Sequence, residues 1–192
     1  KKNSYQEISL VGDLILWKES LNIPGKNNAI FVRPILQTKL KPQNLTGDIF
    51  LIQSSFHGYG GRSYKCIKSK NQIYLVWIDK LTKSLWVKTY KVNRLENNIL
   101  QYPYLIANKK ARQLTNPSIG NFDSSFTLFN EKVLFGIFES NNCDYLFSVF
   151  INKKKQDLKI IKKFDNFAGS LSSNLSGNIL SWIEWGPPFM PW

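Results

Sequence analysis

Four stretches of the chain repeat one alternation of apolar and polar positions. They are ISLVGDLILW (8–17), YKCIKSKNQIYLVW (64–77), FTLFNEKVLFGIF (126–138) and LSSNLSGNILSWIEW (171–185). Each reads as an alternating strand, a polar turn and a second apolar strand that ends in an aromatic residue. The turns fall on Gly12-Asp13, Lys70-Asn71, Asn130-Glu131 and Gly177-Asn178, and polar turns of this kind between apolar runs are hairpin signals. A third strand is expected over 29–32, 85–90 and 145–150, and a weaker fourth around 112–114 and 158–161. The second strands begin at Leu14, Ile73, Val133 and Ile179, with spacings of 59, 60 and 46 residues. Strands repeating in fours, about 40–50 residues per unit, are the pattern of propeller blades, here with insertions in the first two. No long stretch carries a 3.6-residue apolar period, so no helix competes.

The pattern therefore predicts an all-β fold, a partial (incomplete) β-propeller of about three to four blades of antiparallel four-stranded sheet. The expected divisions are blade one at about 1–55, blade two at 56–115, blade three at 116–165, and half of a fourth blade at 166–192. A β-sandwich of similar strand count is the competing architecture, but sandwiches need no such self-similarity.

Composition narrows the function classes. The 192 residues are 43% hydrophobic and 14% aromatic, enough for a folded core rather than a disordered tail. No apolar run approaches the ~18 residues of a membrane span. The start, KKNSYQEISL, shows no signal-peptide pattern, so a cytoplasmic protein with no membrane partner is expected. It also lacks an initiator Met, and these residues are expected to be part of a longer chain. The formal charge is +13, yet 22 of the 26 basic residues are Lys, spread from end to end. The short Lys clusters at 109–110, 153–155 and 162–163 lie among Asn, Gln and Asp, as in solvated turns. Arg is the residue expected for bidentate phosphate and base contacts, so no nucleic-acid partner is expected.

Little in the chain points to catalysis. No Gly-x-Ser-x-Gly elbow is present, and there is no phosphate loop or dinucleotide fingerprint. His57 is the only histidine, and Cys66 and Cys143 are 77 positions apart, so neither a metal nor a cofactor is expected. The 13 acidic residues are scattered, and glycoside chemistry would need two paired carboxylates. The segment Phe56-His57-Gly58-Tyr59-Gly60-Gly61-Arg62 stands out. Its glycines point to unusual backbone where the chain enters an innermost strand. Two readings are open: His57, Tyr59 and Arg62 face a central channel and touch a ligand, or the segment is a structural turn around a hydrogen-bonded histidine.

The segment FHGYGGRSY (56–64) resembles the HEYGGGAY segment in the propeller of prolyl-oligopeptidase-family serine peptidases. LSWIEWGPPFMPW (180–192) resembles that family's LAWLEWDHPNMPWD, and 14–34 is similar to its first blade. The resemblance runs along nearly the whole chain and is nearest to bacterial acylaminoacyl-peptidase-like and dipeptidyl-peptidase-like members. Trp182, Glu184, Trp185, Pro188, Met190, Pro191 and Trp192 match. Gly58 stands where the family has Glu, Gly186-Pro187 where it has Asp-His, and Phe189 where it has Asn, so substrate preference does not transfer.

The resemblance implies an N-terminal propeller that gates and positions peptide substrate for a C-terminal α/β-hydrolase domain carrying Ser, Asp and His. That domain would be the partner of this chain and is not present in it. The implied substrate-lining residues are His57, Tyr59, Arg62, Glu184, Trp185 and Trp192, with no catalytic residue among them. A stand-alone β-propeller-like module binding a protein or glycan is the alternative.

Overall fold

The computed structural model describes residues 4–20, 27–37, 39–69, 72–97, 99–174 and 176–190. The expected turn at Lys70-Asn71 lies outside the described residues. The chain forms successive antiparallel sheets, and among the described residues the helical conformation is confined to one 3-10 turn, Phe56–Gly58. It divides into two compact units. One comprises 1–52, 66–76 and 88–111, and the other comprises 53–65, 77–87 and 112–192.

The first sheet lies in the first unit. Strands β1 (Ser4–Val11), β2 (Leu14–Ser20), β3 (Asn28–Pro34) and β4 (Gln43–Asn44) pair in chain order. Val11 pairs with Leu14, so Gly12-Asp13 is a two-residue hairpin turn, and Gly12 takes a φ of 59°. Alternation then sorts the side chains. Leu16, Ile30 and Val32 are buried on one face. Ile15, Trp17 and Glu19 of β2 and Phe31 and Arg33 of β3 share the other.

The second sheet has the order β5 (Tyr64–Lys68), β6 (Ile73–Asp79), β7 (Ser84–Arg94), β8 (Leu100–Ala107). A short β9 (Arg112–Gln113) also pairs with β7. Its residues fall in both units. The sequence pattern placed a fourth strand only at β9, whereas the outer half of β7 pairs with β8. Gln43 extends the ladder from β8 toward β4. Its side-chain amide donates to the Leu105 carbonyl at 2.7 Å and accepts from the Leu105 N–H at 3.0 Å. The Tyr104 hydroxyl donates to the Lys41 carbonyl and the Tyr90 hydroxyl to that of Leu45. Burial pushes the Tyr90 phenol far above the ordinary tyrosine range. The edge of β8 that would attract a foreign strand is thus taken up at Leu105 by the Gln43 side chain.

The second unit holds the remaining sheets. In the third, β10 (Asn121–Phe122) and β11 (Thr127–Phe129) both pair with β12 (Val133–Ser140). β13 (Cys143–Phe150) and β14 (Lys159–Lys163) follow. The expected turn at Asn130-Glu131 is present, with φ of 48° and 56°, and the structure adds a two-residue turn at Asn141-Asn142, with φ of 50° and 58°. Paired positive φ at the two central residues matches the right-handed strand twist. The fourth sheet pairs β15 (Phe167–Ser173) with β16 (Leu180–Trp185), one residue later than the expected start at Ile179. β15 bulges between Gly169 and Ser172, and the bulge is held by the segment between β10 and β11. The Ser170 N–H donates to Asp123 Oδ2 at 3.0 Å, and the Leu171 N–H to Ser125 Oγ at 2.8 Å.

The core of the third sheet is aromatic. Phe122, Phe138 and Phe147 lie within 5.8 Å of one another, centroid to centroid. Gly136 lies beneath them, and a Cβ there would meet the Phe147 ring at 2.7 Å and Phe126 at 2.9 Å. Phe147 is wholly buried and has nowhere to move. Gly136→Ala is therefore expected to destabilise the chain by about 1–3 kcal/mol through overpacking. Urea unfolding of the variant against the parent chain measures this, and an unchanged midpoint would contradict it.

Candidate functional site

The histidine segment folds into the second unit. Within the short turn at Phe56–Gly58, His57 breaks the helical backbone with a φ of 49° and a ψ of 24°. Its Nε2 lies 2.7 Å from Asp144 Oδ2, and the two side chains are only 8% and 2% exposed. The same oxygen accepts the Ala168 N–H at 2.7 Å. The His57 N–H donates to Glu139 Oε2 at 2.9 Å. Neutral imidazole can donate to the carboxylate through Nε2–H, and a protonated ring turns the same contact into an ion pair.

Aromatic walls close the pair off. Phe56 stacks on the imidazole at 3.8 Å, while Phe167 and Trp185 meet it edge-on at 5.0 and 5.6 Å. Below lies an apolar cluster of Phe56, Ile137, Leu146, Phe164, Ala168 and Leu171. His57 and Asp144 form two-thirds of a hydrolytic triad in residue type. Among the described residues, however, no hydroxyl or thiol is hydrogen-bonded to His57. The geometry suits a buried staple between the segment before β5, the β12–β13 hairpin and β15.

The structure thus brings together two of the sequence-expected site residues, His57 and Trp185. Tyr59 is 80% exposed at the end of the turn, and Arg62 is exposed beyond it. Glu184 is exposed on β16, where its Oε1 accepts from Lys162 Nζ at 2.9 Å and Trp182 Nε1 at 2.8 Å. The hydrogen bond from Lys162, then that from Trp182, holds its carboxyl below the usual range. No described contact joins Arg62 or Glu184 to His57. Trp192 lies outside the described residues.

Sequence reasoning missed Asp144 and Glu139. A usable signal existed for the first. Asp144 shares the inward parity of Leu146 and Ser148 on β13, and a buried carboxylate needs a partner.

Each unit also contains a cavity of its own. In the first unit, one face of the first sheet lines a cleft of about 620 Å³. Trp17 and Phe31 stack there at 6.0 Å, and the Arg33 guanidinium sits 5.6 Å over Trp17. Tyr5 and Ile8, 66% and 58% exposed, complete an apolar sheet surface. In the second unit, a cavity of about 250 Å³ opens beside the segment leading to the 3-10 turn. Among the described residues, no group of three or more His, Cys, Asp and Glu side chains could hold a metal ion. No helix is long and apolar enough to cross a membrane among those residues, which says nothing of crossing by strands.

The staple makes a direct prediction. Truncating either partner leaves the other buried and unpaired, so His57→Ala and Asp144→Ala are each expected to cost about 2–4 kcal/mol. The double variant should be less damaged than the sum by about 1–3 kcal/mol. Unfolding free energies of the four proteins measure the coupling, and additive losses would contradict the pairing.

Compared by sequence, the chain matches no family model and no curated protein. Compared by structure, it is similar to a puromycin-hydrolyzing peptidase of Mycobacterium tuberculosis, with a TM-score of 0.68 and 16% identity over 98% of this chain and 28% of that one. It is also similar to a puromycin hydrolase, with a TM-score of 0.69 and 13% identity over 98% of this chain and 29% of that one. The chain therefore spans less than a third of the length of the structures it matches. At these identities the likeness shows the fold, which is all-β and a partial β-propeller.

Proposed function

We propose that this chain is the N-terminal propeller portion of a serine peptidase of the prolyl-oligopeptidase family, acylaminoacyl-peptidase-like or dipeptidyl-peptidase-like. In this reading it gates and positions peptide substrate for a C-terminal α/β-hydrolase domain that lies outside these residues and is its principal partner. The parent enzyme would work in the cytoplasm. The observation that carries the reading is the match of 98% of this chain to 28% of the length of a puromycin-hydrolyzing peptidase. The order of the motifs at 14–34, 56–64 and 180–192 agrees with it.

The chain's own chemistry fits a positioning role better than a hydrolytic one. Its only histidine is committed to Asp144 and walled by Phe56, Phe167 and Trp185. A nucleophilic serine needs its base within hydrogen-bond reach. The side chains near that staple that meet solvent, Tyr59 and Arg62, can hold or exclude a substrate but cannot cleave one.

The test has two arms. The 192-residue chain alone is expected to form no adduct with a fluorophosphonate probe and to release no product from puromycin. The gene product isolated from its native cell is expected to be longer, to react with the probe, and to carry the adduct on a Gly-x-Ser-x-Gly peptide. Labelling within these 192 residues, or a native product that ends with them and never reacts, would overturn the reading.

A further inference from the structure

The cleft face of the first sheet is apolar in the manner of a core. Leu10 pairs with Ile15, and Phe31 with Trp17, on the face opposite Leu16, Ile30 and Val32. Tyr5, Ile8 and Leu10 of β1 are nonetheless 66%, 58% and 64% exposed. From position 5 to position 10 this exposed row runs about 17 Å.

β2 begins LILW, apolar on both of its faces. A strand that keeps one face in water alternates polar with apolar residues, and an unbroken apolar run belongs to a sheet covered on both sides. The next two second strands of the repeat obey that rule. All seven residues of β6 are buried. In β12 the consecutive Ile137 and Phe138, on opposite faces, are 0% and 4% exposed. β2 departs from it, since its partner β1 presents three large apolar side chains to solvent on the cleft face.

The second unit shows what covers a face of this kind. Ile137 and Leu146 of the third sheet form one cluster with Ala168 and Leu171 of β15, and Leu180 and Trp182 of the fourth sheet pack against it. One sheet of the repeat lies on the next. The polar groups of the first sheet's cleft do not ask for an ionic ligand instead. Trp17 Nε1 donates to Glu19 Oε2 at 3.1 Å, and the Arg33 guanidinium lies over the Trp17 ring. Lys41, at the exposed rim, can turn its ammonium past an apolar partner into water.

We propose that this face seats a further β-sheet of the same gene product, formed by residues outside these 192, which lays its own apolar face on Tyr5, Ile8, Leu10, Ile15 and Phe31. The chain covers 28% and 29% of the structures it resembles, which leaves length for such a sheet in a parent of that size. A small ligand would leave part of the row in water. A second copy would have to compete with a sheet held at an effective concentration in the millimolar range by its own chain. The inference deepens the proposed propeller reading and rests on it for the source of the covering sheet.

The test uses the full-length gene product with the photoreactive residue p-benzoyl-phenylalanine at position 5. Irradiation is expected to join that position, within one molecule, to a peptide from outside the 192 residues whose sequence alternates apolar and polar residues. Ile8→Lys adds a charge that an uncovered face would tolerate. Under a covering sheet its ammonium has no partner, so the urea midpoint of the full-length product is expected to fall by about 0.5 M or more. A cross-link to a second copy, to a peptide inside these 192 residues or to none, or an unchanged midpoint for Ile8→Lys, would each overturn the proposal. A product that cross-links as expected yet never reacts with a fluorophosphonate would sink the peptidase reading and keep this one. A reactive product whose position 5 finds no such peptide would do the reverse.

Discussion

A carboxylate that is 2% exposed must be met by donors, and Asp144 is met from two other segments. One oxygen takes the His57 ring and the Ala168 N–H, while the main-chain carbonyl of Asp144 takes the Phe164 N–H at 2.9 Å. That requirement fixes much of the second unit. The segment before β5 must deliver an imidazole, which is why His57 tolerates a φ of 49°. β15 must start close enough for its second residue to donate. Phe167 and Trp185 then pack at 6.3 Å beside the imidazole and exclude the water that would weaken these bonds.

The same polar logic recurs around it. Ser54 Oγ accepts the Phe56 N–H and donates to the Phe122 carbonyl, and Asp123 and Ser125 receive the bulge of β15. Hydrogen bonds that cross from one sheet to the next must satisfy both ends, so they specify neighbours more narrowly than apolar contact does. The first unit uses another device, with the amide of Gln43 and the hydroxyls of Tyr90 and Tyr104 completing backbone ladders. In the second unit the bonds around Asp144 leave the only histidine hydrogen-bonded and walled in, in keeping with the proposed positioning role.

The hairpins were legible because two local signals coincide. Period-two alternation marks the strands, and Asn, Asp and Gly mark turns whose φ is positive. β8 was not legible, since Pro103 within LQYPYLIA argues against a strand unless it lies at a sheet edge, as this one does. The glycines beside His57 flagged unusual backbone, but its partner is 87 residues away, and no local rule reaches that far.

The dependence of the second unit on Asp144 is most directly tested by native-state amide hydrogen exchange. The N–H groups of His57, Phe164 and Ala168 should exchange with the same opening free energy as the β12–β13 ladder, because all open together when the staple is lost. Fast exchange at those three amides while β12–β13 stays protected would contradict the account.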